Sequence, residues 1–205
     1  MAFSVRRLRR HLSTAHGCVT ERLILPPQLS KLGVAGQGWQ VRTAVRQSLI
    51  PGAGDGRLAE EPVASNVRVS VKPIVAMASL ESLRTVAHDA TITFVSTEDL
   101  ERYVRLGEVE GGYTRTQILE VFEHFIWSLD GERAFLNNCT WSMNHADEAT
   151  GGVNVAFSEV DGSIVGDSVE DILAGDEFRN NYRAFAMPAF YEAFCRTHNF
   201  TDVKT

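Results

Sequence analysis

Residues 114–130, TRTQILEVFEHFIWSLD, form the strongest periodic stretch of the chain. Ile118, Leu119, Phe122, Phe125, Ile126 and Leu129 recur at helical spacing, and Asp130-Gly131 ends the run. A helix with so wide an apolar stripe needs other elements to cover it, so the chain has to build a layered core around it. What can cover it is limited by glycine and proline, which cut the rest of the sequence into short pieces.

Residues 51–62, PGAGDGRLAEEP, hold two prolines and three glycines and read as a linker over 51–65. Before it, residues 18–50 read as an extended arm, in which WQVRTAVRQSL could make a short helix through Val41, Ala44, Val45 and Leu49. After it, residues 66–205 read as one globular domain. Val67, Val69 and Val71 alternate with Arg68 and Ser70, the period of a half-buried strand that Pro73 would end or hold at an edge. SLESLRTVAHD reads as a short helix and ATITFVS as a strand. Ser96 or Thr97 caps EDLERYVRLGE, whose inner face is Leu100, Tyr103 and Val104. ERAFLNNCTWSMNHA and DSVEDILAG read as further helices, and VNVAFSEVDGSIVG as a hairpin turning at Asp161-Gly162. The last segment, DEFRNNYRAFAMPAFYEAFCRTHNF, reads as a long helix that Pro188 kinks or splits. The expected class is therefore α+β and helix-rich: a small sheet packed by several helices, preceded by an extended N-terminal arm.

Charge is divided unevenly. Residues 1–46 hold eight Lys/Arg and one acidic residue, whereas 47–205 hold twelve Lys/Arg and 25 Asp/Glu. Between Ala134 and Phe178 nine acidic residues occur without one Lys or Arg. Such a body repels a phosphate backbone, so no direct nucleic-acid partner is expected. No apolar run reaches the roughly 18 residues that span a bilayer. Three cysteines (Cys18, Cys139, Cys195) without CxxC spacing do not make a disulfide framework.

Residues 1–17, MAFSVRRLRRHLSTAHG, explain the basic end. On a helical wheel Val5, Leu8, Leu12 and Ala15 share a sector roughly 80° wide, opposite Arg6, Arg7, Arg9 and Arg10. An Arg-rich, Ser-containing, acid-free amphipathic N-terminus is similar to a mitochondrial import signal, with those four arginines as the targeting residues. The plainer alternative is a basic surface helix, or an arm that meets nucleic acid or anionic lipid.

No reaction motif accompanies it. Placing Gly162 at the sixth position of a calcium loop puts Phe157 first and Ser168 twelfth, where carboxylates are needed. VEGGYTRTQI fails in the same way, with Gly107 first and Ile118 last. Glu120 with His124, and Cys139 with His145, Asp147 and Glu148, lack the tight repeated spacing of zinc ligands. No nucleophile elbow, dinucleotide fingerprint or phosphate loop occurs; GVAGQG lies in the irregular arm with no strand before it. The adjacent carboxylates Glu60-Glu61, Asp147-Glu148, Glu170-Asp171 and Asp176-Glu177 point different ways and read as solvated surface. No catalytic, cofactor or metal residue is expected.

Seven of the 18 aromatic residues lie between 178 and 200. Phe178, Tyr182 and Phe185 would form a stripe facing the core, whereas Phe190, Tyr191 and Phe194 extend around a second face suited to a partner chain. Together these features lead to an expectation. The chain would be a non-catalytic accessory subunit of a mitochondrial assembly, either a respiratory-chain complex or ATP synthase. It would sit in the matrix or peripherally on the matrix side of the inner membrane, in contact with other subunits. The alternatives are a mitochondrial ribosomal protein and a small matrix enzyme.

Overall fold

Among the described residues of the chain, strands outweigh helices. Its computed structural model describes residues 38–77, 90–109, 112–136, 143–146, 152–181, 184 and 186–200. Of these residues 36% are strand and 25% helix, with three helices among them, so the helix-rich expectation is overturned. The chain divides into two compact units. One is built around 33–72 and 139–181, the other around 73–138 and 182–205.

In the first unit, β1 (Thr43–Gln47) and β2 (Asp55–Ala59) form an antiparallel hairpin, with Thr43 opposite Ala59 and Gln47 opposite Asp55. Both lie where an arm and a linker were expected. The glycines of PGAGDG do not make a spacer; they turn the chain tightly between the strands, with Gly52 and Gly54 at positive φ. The expected helix through Val41–Leu49 is therefore a strand. β3 (Arg68–Ala76) follows and runs on into the second unit. Pro73 does not end it and sits exposed within it. Val69 is buried and Arg68 exposed, as the alternation expects, but Val67 is exposed and Ser70 and Lys72 are fully buried, so the pattern holds only in part.

β7 (Asn144–His145) and β10 (Arg179–Asn180) pair in parallel. The segment around His145 is thus not helical. β8 (Val155–Val160) and β9 (Ser163–Ser168) form the expected hairpin, with β9 beside β3. Asp161 and Gly162 at the turn have φ of 49° and 69°, both positive as a type I′ turn requires. The stretch expected as a helix from Asp167 is also extended: Val63 and Ile172 exchange backbone hydrogen bonds, each 2.8 Å. Trp39, Leu58, Val63, Val69, Val155, Ile164, Ile172 and Phe178 are buried in this unit.

In the second unit the sheet order is β5 (Ile126–Trp127), β6 (Ala134–Leu136), β4 (Thr91–Phe94) and the end of β3. β3 pairs with β4 in parallel; the other pairs are antiparallel. Its helices are α1 (Thr97–Val109), α2 (Arg115–Phe125) and α3 (Ala189–His198). α1 starts as expected: Ser96 Oγ accepts from the Asp99 N–H at 3.2 Å, and Leu100, Tyr103 and Val104 face inward. α2 opens on a capping box between Thr114 and Gln117. It stops at Phe125, short of Leu129, because Ile126 and Trp127 pair with β6.

α3 covers only the last part of the long helix expected from Asp176. Pro188 is its N-cap, not an internal kink, and Asn199 closes it in the left-handed conformation at φ 53°. Ile118, Val121 and Phe122 of α2 meet Leu100, Tyr103 and Val104 of α1 in one core with Tyr191 and Phe194 of α3. Burying each of these large side chains contributes about 2–3 kcal/mol. SLESLRTVAHD, Tyr182, Phe185, Cys139, Asp147, Glu148, Arg6, Arg7, Arg9 and Arg10 lie outside the described residues.

Candidate functional site

Two polar clusters stand out, one in each unit. In the first unit, β2 brings Gly56, β7 brings Asn144, and the loop after β1 brings Ser48 and Leu49 to the carboxylate of Glu177. Glu177 is only 2% exposed. Its oxygens accept from the Ser48 hydroxyl at 2.8 and 2.9 Å, from the Leu49 N–H at 2.8 Å and from Asn144 Nδ2 at 2.6 Å. Asn144 Nδ2 also donates to the Asp55 carbonyl at 2.9 Å, and Asn154 Nδ2 to the Glu177 carbonyl at 2.8 Å. The cluster closes only because residue 56 has no side chain: a Cβ there would run into the Glu177 carboxyl group.

Alternation along β2 sends Arg57 the other way. Its guanidinium stacks 4.8 Å from the Trp39 ring centroid, and Nη1 donates to Thr43 Oγ1 at 2.7 Å. Burial pulls the Arg57 guanidinium down to about 10, still charged at neutral pH. Trp39 packs in turn on Phe178, with centroids 5.1 Å apart.

The second cluster ties three helices together. Glu101 of α1 faces His198 Nε2 of α3 at 2.6 Å and Arg115 Nη2 of α2 at 3.0 Å. Arg115 Nη1 lies 3.5 Å from His198 Nδ1, and Arg115 Nε lies 3.7 Å from Glu108. Arginine only donates, so in this contact Nδ1 accepts and Nε2 donates to Glu101. The imidazole also stacks on Phe194 at 4.3 Å. Burial pushes the Glu101 carboxyl upward, but its bonds to His198 and Arg115 outweigh that, so it lies below the usual carboxylate range.

A carboxylate lowered on folding stabilises the protein above its unfolded value, and that contribution disappears as pH falls through the folded one. Urea unfolding of the wild type between pH 7 and pH 3 should therefore show an acid-induced loss of stability that is smaller in Glu101→Gln. Parallel pH profiles for the two proteins would rule the linkage out.

A general acid or base has to present a lone pair or a proton to its substrate. Glu177 is buried and its carboxylate is taken up by Ser48, Leu49 and Asn144, which fixes the loop after β1. Glu101, whose side chain is 25% exposed, ties the end of α3 to α1 and α2. Glu177 overturns the reading of Asp176-Glu177 as solvated surface. That neighbours point different ways was the available signal; it left one of the two free to point inward, and Glu177 does. His198 and Arg115 carried no such signal, because 83 residues separate them.

The residues expected to meet a partner chain are placed differently. Tyr191 and Phe194 are 1% and 0% exposed, and Phe190 is partly buried against the same core. The Tyr191 hydroxyl donates to the Phe122 carbonyl at 3.1 Å, and Phe194 lies 5.8 Å from the Phe122 ring. Their aromatic density serves the second unit's own core, which corrects the docking expectation. Phe178 is buried in the first unit. Of the metal-ligand candidates, His145 lies on β7 and Glu120 on α2. Among the described residues no three His, Cys, Asp or Glu side chains gather as a metal site would require. Among those residues no helix is long and apolar enough to cross a membrane.

No family model matches the chain, and no curated protein does. Similar solved structures include an apo form of ctPRC2 with a mutated Ezh2, at 15% identity and a TM-score of 0.47, covering 75% of this chain and 16% of that one. The Chaetomium thermophilum polycomb repressive complex 2 gives 16% identity and a TM-score of 0.42, covering 69% and 15%. An autoinhibited ctPRC2 bound to S-adenosylmethionine gives 15% and 0.45, covering 77% and 17%. The chain thus spans about a sixth of the length of these structures' chains, and the likeness assigns no role to any residue here.

Proposed function

We propose that this protein is a non-catalytic accessory subunit of a mitochondrial assembly, a respiratory-chain complex or ATP synthase, and acts through contacts with other proteins. The observation that supports the non-catalytic part is the inward use of the buried Glu177, whose carboxylate takes its hydrogen bonds from Ser48, Leu49 and Asn144 of this chain. The mitochondrial part rests on the acid-free stretch holding Arg6, Arg7, Arg9 and Arg10 ahead of an acidic body.

Fusing residues 1–30 to a fluorescent reporter should deliver it to mitochondria, and replacing the four arginines with glutamate should leave it in the cytosol. Cytosolic fluorescence from the unmodified fusion would sink the address. The enzyme reading has a separate test. Titrating the purified chain with S-adenosylmethionine, the ligand in one of the similar structures, should leave its unfolding midpoint unchanged. A saturable rise would overturn the non-catalytic reading.

A further inference from the structure

We infer that β1 is a docking edge on which a second copy of this chain adds its own β1, making an antiparallel pair across a two-fold axis at Val45. The inference stands apart from the proposed function and starts from the parity of the hairpin. The Glu60 N–H donates to the Arg42 carbonyl at 3.0 Å, and the Ser48 N–H to the Gly54 carbonyl at 2.7 Å. Those two bonds and the Ala44↔Leu58 register turn the even-numbered residues of β1 toward β2. Thr43, Val45 and Gln47 therefore aim their N–H and C=O groups away from the hairpin. Among the described residues these groups meet no backbone partner, and β2 is the neighbouring strand of β1.

The outer edge is not defended at its centre. Val45 is 47% exposed, and neither a proline nor a charge occupies position 45. The edge also fits its own reverse. Centring the axis on Val45 sets Val45 against the second copy's Val45 and Thr43 against its Gln47, at outward-facing positions throughout. Roughly six backbone hydrogen bonds would close across the axis. On the other face Arg46 meets Ala44 of the second copy, not Arg46, so like charges do not confront each other. Arg46 already has its carboxylate in Glu60 of its own chain, 3.7 Å away. β-Branched pairs of this kind stabilise antiparallel strands, and an isologous contact closes at two copies without extending into a fibre.

Sedimentation equilibrium of the full chain at about 50 μM should return twice the 22.7 kDa chain mass. Val45→Lys, which sets two like charges face to face on the axis, should return the single-chain mass with an unchanged thermal midpoint at low protein concentration. Val109→Lys, at a more exposed valine on α1, should leave the double mass intact. A wild type that sediments at the single-chain mass at this concentration would overturn the inference, and so would a Val45→Lys protein that keeps the double mass.

Discussion

Replacing Phe194 with alanine is expected to lower the unfolding midpoint by roughly 12 °C, the equivalent of about 4 kcal/mol. The ring is fully buried. It touches Phe122 at 5.8 Å, Phe200 at 6.0 Å and the His198 imidazole at 4.3 Å, so truncation removes contacts on three sides. The Phe200 contact folds back over the left-handed Asn199 cap, which ties the end of α3 to the loss. Phe190→Ala, at a partly buried neighbour, should cost about 1–2 kcal/mol. Urea unfolding monitored at both substitutions checks the contrast. Equal and small effects would mean that Phe194 is not a core residue, and the reading of this aromatic segment would return to docking.

Gly56→Ala is expected to cost about 3 kcal/mol, lowering the midpoint by roughly 8 °C. The new methyl group would point into the Glu177 carboxyl group, which three donors, Ser48, Leu49 and Asn144, hold in place. To make room, Glu177 must give up donors in a buried site, which adds the cost of unmet polar groups to the steric one. The double mutant with Glu177→Ala separates the two causes. With the carboxyl group gone, Gly56→Ala should cost about 2 kcal/mol less than it does in the wild type. Additive effects would show that the glycine matters for backbone conformation and not for its contact with Glu177.

Local signals read well where neighbours along the chain decide the structure. The β8–β9 turn follows from Asp161-Gly162, because Asp-Gly supplies the two successive positive-φ residues that a type I′ turn needs. The start of α1 and its inner face follow from Ser96 and the spacing of Leu100, Tyr103 and Val104, and α2 follows from its apolar stripe. Elsewhere distant partners decide. Ile126 continues the helical pattern of α2 yet leaves it, because Leu136 and Phe135 supply strand partners for Ile126 and Trp127. The glycine-rich stretch after β1 looks like a spacer because the strand it leads into is polar at Asp55 and Arg57. Burial of that strand depends on Trp39, Thr43 and the 175–178 segment. Ser70 and Lys72 lie inside while Val67 lies outside for the same reason.

By itself, then, the sequence determined the elements whose geometry is local: one capped helix, one strongly amphipathic helix and one tight hairpin. Its basic N-terminus and acidic body are also read directly, because charge needs no fold to be counted. Only the tertiary structure decided that strands prevail over helices among the described residues, since a strand has no partner until a distant segment supplies one. It alone decided that Glu177 is buried and that Phe194 is core. A carboxylate can be buried only where Ser48, Leu49 and Asn144 converge on it, and no spacing along the chain records that convergence.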